Sequence, residues 1–194
     1  MKPLSDRAVF IDKDGTLIED APYNVDPALL HFTPGAVEGL RLLNSQGWRL
    51  IVVTNQPGVA LGRFDAQALV RLQQALTRML AEEGVTLEGF HACPHAPGDG
   101  CTCRKPQPGL LQWAAHVHGI DLSQSWMVGD ILNDVEAGRR AGCRTVLLDV
   151  GHETEWDLST PWRIPHHRCR TLLEAAGIVT GRRRAASLED ASHA

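Results

Sequence analysis

The stretch AVFIDKDGTL, residues 8–17, decides the fold of this chain. Four apolar residues are followed at once by two aspartates, a glycine and a threonine. A short apolar run of this kind suits a strand that is buried on both faces, and Gly15 permits a sharp turn directly after it. We therefore predict a buried strand at residues 8–11 that delivers Asp12 and Asp14 into one pocket.

Similar apolar runs alternate with helical patterns along the rest of the chain. These runs lie at residues 50–53, 89–92, 126–128 and 145–148. The repeated order of strand and helix predicts a doubly wound, mostly parallel α/β sheet of the Rossmann-like type, with right-handed crossovers. In such sheets, ligands bind beyond the carboxyl ends of the strands, near the topological switch point.

Capping residues and apolar spacing place the helices between these strands. Thr33 is expected to be an N-cap, with Pro34 at the first helical position. A long amphipathic helix is expected to begin after the N-cap Asp65. Two further helices are predicted at about residues 107–118 and 133–141.

Composition limits the class of protein. The chain has 194 residues, of which 43% are hydrophobic and 22% charged, with a formal net charge of −4. We predict one domain at residues 1–180 and an unstructured tail at 181–194. Near-balanced charge argues against a nucleic-acid partner, and the sequence has neither a membrane span nor a signal-peptide pattern. A cytoplasmic monomer is the expectation.

Polar side chains follow each of the first four predicted strands. After the second strand come Thr54, Asn55 and Gln56, after the third come Arg104 and Lys105, and after the fourth comes Asp130. The carboxylates of the first and fourth strand ends would repel one another unless a divalent cation neutralised them. Oxygen ligands of this kind suit Mg²⁺, so we predict a magnesium site of Asp12, Asp14 and Asp130.

These groups together predict phosphoryl transfer. Asp12 can act as a nucleophile that accepts a phosphoryl group, and Asp14 can protonate the leaving oxygen and later activate water. Thr54 and Lys105 can hold the phosphoryl oxygens. Taken singly, each residue has a structural alternative as a turn or capping residue. Asp134 in particular is interpreted as an acid of the first turn of its helix or as a neighbour of the metal ligands.

The motifs resemble those of the haloacid dehalogenase (HAD) superfamily of phosphatases over about residues 7–150. The resemblance rests on the DKDGT element at residues 12–16, on Thr54, on Lys105, and on Gly129-Asp130. It implies a nucleophilic first aspartate, a general acid/base second aspartate, a Thr and a Lys that bind phosphate, and Mg²⁺ at the fourth motif. The chain departs from many relatives at Ile131, where they carry a basic residue.

Three cysteines and a histidine crowd into eleven residues between the third predicted strand and Lys105. They are Cys93, His95, Cys101 and Cys103. Three thiolates and an imidazole match a closed structural zinc site, which would stabilise a loop with few apolar residues. The alternative is a set of reduced surface thiols beside a histidine in a turn.

The zinc-like loop resembles a capless branch of the superfamily that contains heptose-bisphosphate phosphatases and histidinol-phosphatases. Residues 54–64 and 104–111 are similar to the heptose enzymes, whereas the short gap between His95 and Cys101 resembles the histidinol-phosphatases. The leading expectation is hydrolysis of the 7-phosphate of D-glycero-D-manno-heptose 1,7-bisphosphate, with histidinol phosphate as the open alternative. A phospho-acceptor signalling domain is the alternative from another class.

The same resemblance implies a set of residues for binding a small sugar phosphate. Arg104 would contribute to recognition, and the segment from Asp20 to Tyr23 would line the sugar site. The expected substrate-binding residues are Asp20, Tyr23, Thr54, Asn55, Gln56, Arg104 and Lys105.

Overall fold

The computed structural model describes residues 6–182. Its centre is a six-stranded sheet in the order β3-β2-β1-β4-β5-β6, in which all neighbouring strands are parallel. The strands are β1 Ala8–Ile11, β2 Arg49–Asn55, β3 Gly89–Cys93, β4 Trp126–Gly129, β5 Arg144–Leu148 and β6 His167–Cys169. The predicted doubly wound α/β class is confirmed.

Five helices cover the two faces of this sheet. They are α1 Ala36–Ser45, α2 Ala66–Glu82, α3 Gly109–His118, α4 Leu132–Ala141 and α5 Leu172–Thr180. Alternate residues of a strand point to opposite faces. Val9 and Ile11 of β1 therefore pack in one core with α1, α2 and α5, whereas Ala8 and Phe10 pack in a second core with α3 and α4.

The order of the strands places the topological switch point at β1. Its neighbours are β2 on one side and β4 on the other, so the chain leaves the carboxyl end of β1 at the point where the crossovers diverge. The segment between β1 and α1 contains one short 3₁₀ helix, Pro27–Leu29, and no cap domain lies within residues 6–182. The carboxyl ends of β1, β2 and β4 are therefore open to a ligand.

The prediction of the N-terminus of α1 was wrong. Thr33 is not the N-cap, because the Thr33 hydroxyl donates to the Thr16 carbonyl at 2.6 Å and holds the loop after β1. The cap position is occupied by Gly35 in the left-handed conformation, with φ of +77°, and the helix begins at Ala36. By contrast, Asp65 caps α2 as predicted, since its carboxylate accepts the backbone N–H of Ala68.

The region beyond residue 150 adds the last strand and the last helix. β6 pairs with β5 at the edge of the sheet, and α5 packs in the core beside α1. The predicted tail lies, from residue 183 onward, outside the described residues. Over the part of the chain that is described, none of the helices has the length and apolar character that a membrane crossing requires.

Candidate active site

The site is built around the turn that follows β1. The backbone N–H of Asp12 donates to the Val128 carbonyl at 2.9 Å, which ties the first residue after β1 to β4. Three residues on, Gly15 has a φ of +75° and its N–H donates to the Ile18 carbonyl at 2.8 Å. Glycine adopts this conformation without the strain that a Cβ would cause, so the chain turns back at once over the strand end.

Lys105 binds the first of the strand-end carboxylates. Its ammonium group lies 2.5 Å from Oδ1 of Asp12 and 2.6 Å from Oδ1 of Asp134, and it donates to the Val53 carbonyl at 3.0 Å. Burial opposes the charge on this lysine, but the two carboxylates outweigh that effect and raise the pKa of Lys105. Lys105 is therefore a permanently charged group that orients Asp12.

Asn55 fixes the backbone of Lys105. Its side-chain amide donates to the Lys105 carbonyl and its oxygen accepts the Lys105 N–H, each at 3.0 Å. Asn55 was predicted to bind substrate, and it does face the same cavity. Its polar atoms are nevertheless used to hold the lysine between β2 and the loop after β3.

Asp14 has different partners from Asp12. Lys13 lies 2.7 Å from its Oδ1, and the Gln56 amide donates to its Oδ2 at 2.8 Å and to the Thr54 hydroxyl at 3.1 Å. Burial raises the pKa of Asp14, and the neighbouring Lys13 offsets this only in part. A carboxyl group whose pKa is raised can carry a proton to a leaving group, which is the property of a general acid.

Asp130 follows β4 and is bound on both oxygens. Oδ1 accepts the Thr16 hydroxyl at 2.8 Å, and Oδ2 lies 2.7 Å from Nδ1 of His152. Burial, together with the negative charge of Asp12, raises the pKa of Asp130 to about 6. Burial likewise raises the pKa of Asp134 to about 7, although the positive charge of Lys105 opposes the shift.

A divalent cation fits these residues. Carboxylate oxygens of Asp12, Asp130 and Asp134 lie within 4.8 Å of one another. Together with Asp14 they are four buried or half-buried carboxyl groups against two lysine ammonium groups, so two negative charges remain to be balanced when all four are ionised. Mg²⁺ would supply the two positive charges that balance them, and it prefers such oxygen ligands. The structure thus groups Asp134 with the first and fourth strand ends, whereas the Asp14 carboxylate, which was expected among the ligands, faces Lys13 and Gln56.

One cavity of about 500 Å³ joins the predicted residues. Its walls include Asp12, Asp14, Asp20, Tyr23, Thr54, Asn55, Gln56, Arg104, Lys105 and Asp130. Tyr23 is half exposed at the rim, where the guanidinium group of Arg63 lies 5.5 Å from the centre of its ring. All residues predicted to bind substrate therefore face the same space, with the buried Asp12, Lys105 and Asp130 at its floor and the aromatic ring at its edge.

The four residues of the zinc-like pattern converge beside this cavity. Sγ of Cys103 lies 3.2 Å from Sγ of Cys93, 3.6 Å from Sγ of Cys101 and 3.2 Å from Nδ1 of His95. Ligands at zinc–sulfur and zinc–nitrogen distances on a tetrahedron are about 3.5–3.8 Å apart, so the donor set fits Zn²⁺. Burial raises the pKa of the Cys93 thiol to about 12, a penalty that a bound cation would reverse.

Comparison with known proteins gives one consistent family. Residues 102–175 match the family model described as HAD-hydrolase-like. A D-glycero-beta-D-manno-heptose-1,7-bisphosphate 7-phosphatase of Pasteurella multocida is 40% identical over 152 residues, which are 75% of this chain and 83% of the relative. The enzyme of the same name from Helicobacter pylori is 33% identical over 90% of this chain and 98% of its own length.

The fold agrees with these sequence matches. A crystal structure of D,D-heptose 1,7-bisphosphate phosphatase from B. bronchiseptica, complexed with magnesium and phosphate, superposes with a TM-score of 0.81 at 30% identity. The superposition covers 91% of this chain and 99% of the other. The chain belongs to the HAD-like phosphatases. It is thus an enzyme of the phosphoric monoester hydrolase class, as its motifs predicted.

Two residues of this HAD-like phosphatase escaped the sequence analysis. Lys13 is 1% exposed and pairs with Asp14, although it lies inside the quoted motif. His152 contacts Asp130 and follows β5 by four residues. His152 was missed because the search for polar residues after strand ends covered only the first four strands. Extended to the fifth strand, the same search would have found it.

Proposed function

We propose that this phosphatase removes the 7-phosphate of D-glycero-β-D-manno-heptose 1,7-bisphosphate, with Mg²⁺ and through an aspartyl-phosphate on Asp12. The observation that carries the proposal is the position of Asp12 at the switch point, ion-paired with Lys105 on the floor of a cavity shared with Asp14 and Asp130. The curated relatives named for this reaction, including the β-anomer, support the choice of substrate.

The first step transfers the phosphoryl group to the protein. A carboxylate oxygen of Asp12 forms a bond to phosphorus while the bond from phosphorus to the sugar oxygen breaks. Asp14 gives its proton to that sugar oxygen, which leaves as the alcohol. Burial of Asp14, which raises its pKa, favours the protonated form that this step needs.

The second step returns the enzyme to its initial state. The Asp14 carboxylate takes a proton from water as the water oxygen bonds to phosphorus, and the acyl-phosphate bond to Asp12 breaks. Gln56 donates to Asp14 and to the Thr54 hydroxyl, so it keeps the acid/base residue beside the phosphoryl-binding residue through both steps. Inorganic phosphate is then the second product.

Positive charge on the site stabilises the phosphoryl group. Asp12 and Asp130 would hold Mg²⁺, with Asp134 and the turn at Asp14 beside it, and the ion would neutralise charge on the phosphoryl oxygens. Thr54 and Lys105 would bind the same group. Since the ammonium group of Lys105 donates to Asp12 and the Val53 carbonyl and is ion-paired with Asp134, contact with a phosphoryl oxygen would replace one of these contacts.

The remaining proposals concern the sugar and the surroundings. Asp20, Tyr23 and Arg104 line the outer part of the cavity and would recognise the heptose and its remaining phosphate. Zn²⁺ on the cluster of Cys93, His95, Cys101 and Cys103 would hold the loop that carries Arg104. We place the enzyme in the cytoplasm as a monomer that acts on a small molecule.

The substrate proposal is tested by kcat/KM values measured with Mg²⁺. The two anomers of the heptose bisphosphate and histidinol phosphate should be compared under one set of conditions. We expect the β-anomer to exceed histidinol phosphate by at least about a hundredfold, which is about 2.7 kcal/mol of transition-state binding. A preference for histidinol phosphate would overturn the assignment of substrate while leaving the phosphatase chemistry intact.

The covalent intermediate is tested with substrate that carries ³²P at the 7-phosphate. Asp14→Asn lacks the general acid of the first step and the general base of the second, so label should accumulate slowly on the protein, persist there, and be released by hydroxylamine. The double variant Asp12→Asn/Asp14→Asn is the matched control and should acquire no label. Absence of label in Asp14→Asn during rapid quenching, with product still formed, would contradict the aspartyl-phosphate.

A further inference from the structure

Helix α4, which follows Asp130, begins at a residue whose own side chain cannot cap it, although the Asp134 carboxylate of its first turn accepts the Ile131 N–H at 3.3 Å. The N-cap position is Ile131, whose side chain has no acceptor. The backbone N–H of Leu132 instead donates to Oε2 of Glu153 at 2.7 Å. The other oxygen of Glu153 accepts the backbone N–H groups of Glu155 and Trp156 at 2.9 and 3.4 Å. The loop after β5 therefore supplies one of the acceptors at the N-terminus of α4, from a residue 21 positions along the chain.

The neighbouring residue of this loop binds the Asp130 carboxylate. Nδ1 of His152 lies 2.7 Å from Oδ2 of Asp130, while Thr16 occupies Oδ1. An ionised carboxylate only accepts hydrogen bonds, so Nδ1–H of His152 is the donor. The two consecutive residues His152 and Glu153 thus hold the side chain of Asp130 and the first turn of the helix behind it.

Gly15 packs closely against both Asp130 and His152. A Cβ at Gly15 would lie 2.6 Å from Nδ1 of His152 and would overlap Oδ2 of Asp130. The turn after β1, the Asp130 carboxylate and the imidazole ring are therefore in mutual contact. His152 and Asp20 line both the catalytic cavity and a neighbouring cavity of about 270 Å³.

The loop after β5 is further fastened to the outer side of α4. Arg163 lies 3.3 Å from Asp157 and 3.9 Å from Glu136 of α4, and Arg139 of α4 donates to the Ile164 carbonyl at 3.2 Å. Trp156 packs against Leu132 and its neighbours in a small apolar cluster. These contacts lock the loop to the same helix that Glu153 caps.

From this geometry we infer that His152 and Glu153 are positioning residues for the magnesium site, with His152 orienting the Asp130 carboxylate for the cation. The inference rests on the proposed Mg²⁺ site. Groups that hydrogen-bond to a ligand carboxylate fix its orientation, and their loss costs about 10–100-fold in metal affinity. The region after residue 150 thereby gains a role in catalysis although it carries none of the four family motifs.

Titration calorimetry of the full chain with MgCl₂ tests this directly, because it reads binding without turnover. His152→Asn places an amide N–H near the position of Nδ1. His152→Leu introduces a side chain that is similar in shape to Asn but has no hydrogen-bond donor. We expect His152→Leu to weaken Mg²⁺ binding about tenfold or more, and His152→Asn to restore most of the affinity. Glu155→Gln, a change in the same loop at a residue whose side chain has no contact with α4 among the described interactions, should bind like wild type.

The outcomes separate this inference from the proposed function. Wild-type affinity in both His152 variants, or equal weakening in both, would overturn the role of the Nδ1 hydrogen bond. A folded wild-type protein that binds no Mg²⁺ would instead overturn the magnesium site of the proposed function, and the inference with it. Glu153→Gln should also weaken Mg²⁺ binding, by a smaller factor than His152→Leu, because it acts through the helix and not on the carboxylate itself. Circular dichroism of each variant verifies that it is folded.

Discussion

Two clusters of side chains with the donor atoms of a cation site lie side by side in this molecule, and they are held in different ways. The carboxylates Asp12 and Asp130 directly follow neighbouring strands, so the hydrogen bonds of the sheet fix their backbone before any metal binds. In the second cluster only Cys93 lies on a strand, and His95, Cys101 and Cys103 lie on a loop without regular structure. We therefore expect a cation at the first cluster to serve chemistry and a cation at the second cluster to serve structure.

The largest effect is expected at the first cluster. Asp12→Asn keeps the size of the side chain but removes the nucleophile, so phosphate release should fall by about 10⁴-fold or more. The site has more carboxylates than ammonium groups, and loss of one carboxylate should leave the melting temperature unchanged or raised. Phosphate release and thermal unfolding measure the two quantities. A variant that keeps a tenth of the wild-type rate would exclude Asp12 as the nucleophile.

The second cluster should respond in the opposite manner. Cys93→Ser removes a buried ligand, so bound zinc should be lost and the free energy of unfolding should fall by about 3 kcal/mol. For a chain of this size that is a melting temperature lower by about 6–12 °C. Molecules that remain folded should keep their KM for substrate within a few fold at low temperature.

Cys143→Ser is the matched control, because Cys143 is also a buried thiol and lies outside the cluster. It should keep a full complement of zinc, as measured by atomic emission. Equal loss of stability in both variants, with zinc absent from the wild type, would show that the four residues are reduced thiols and not a metal site.

Gly15 tests how closely the first cluster is packed. Gly15→Ala forces a Cβ against Asp130 and His152, in addition to the strain of a φ of +75°. We expect kcat/KM to fall by about a hundredfold, since Asp130 must move from its place beside Asp12. Gly84→Ala is the control, because Gly84 has a φ of +72° with nothing within 4 Å of the added Cβ. It should cost about 1–2 kcal/mol of stability and leave kcat/KM unchanged; an equal loss of activity in both variants would count against the packing argument.

Much of the fold could be predicted because local and tertiary preferences agree in it. The five apolar runs became β1 to β5, and Asp65 caps α2. In β1, β2, β4 and β5 the apolar run is also the buried run, whereas β3 lies at the edge of the sheet and is half-buried. The N-terminus of α1 could not be predicted, because the Thr33 hydroxyl is used by a residue 17 positions away. The short strand β6, with three residues, offered too little periodicity to be recognised.

The candidate site, like the fold, could be predicted where sequence position alone decides the structure and not where side-chain packing decides it. Residues at strand ends could be placed together because parallel strands bring their carboxyl ends to one edge. Which oxygen faces which partner depends on side-chain packing, which a spacing rule does not contain. Asp14 therefore turned out to face Lys13 and Gln56, and Asp134 lies beside Asp12 through their common partner Lys105.

The smallest effect concerns the residue that joins the two clusters. Arg104 donates to the His95 carbonyl at 3.4 Å and also faces the catalytic cavity, so it belongs to the loop and to the site at once. Arg104→Lys keeps the charge but loses the planar pair of donors that suits a phosphate, so KM for the bisphosphate should rise about tenfold, or about 1.4 kcal/mol. kcat should change by less than about threefold and zinc content not at all, because neither the nucleophile nor a zinc ligand is altered. Arg71→Lys, on an exposed arginine of α2, supplies the control. A fall in zinc content together with kcat would show that Arg104 acts only in the structure of the loop. A rise in KM alone would show that the loop that zinc stabilises also carries the recognition of substrate. The two clusters would then serve one reaction.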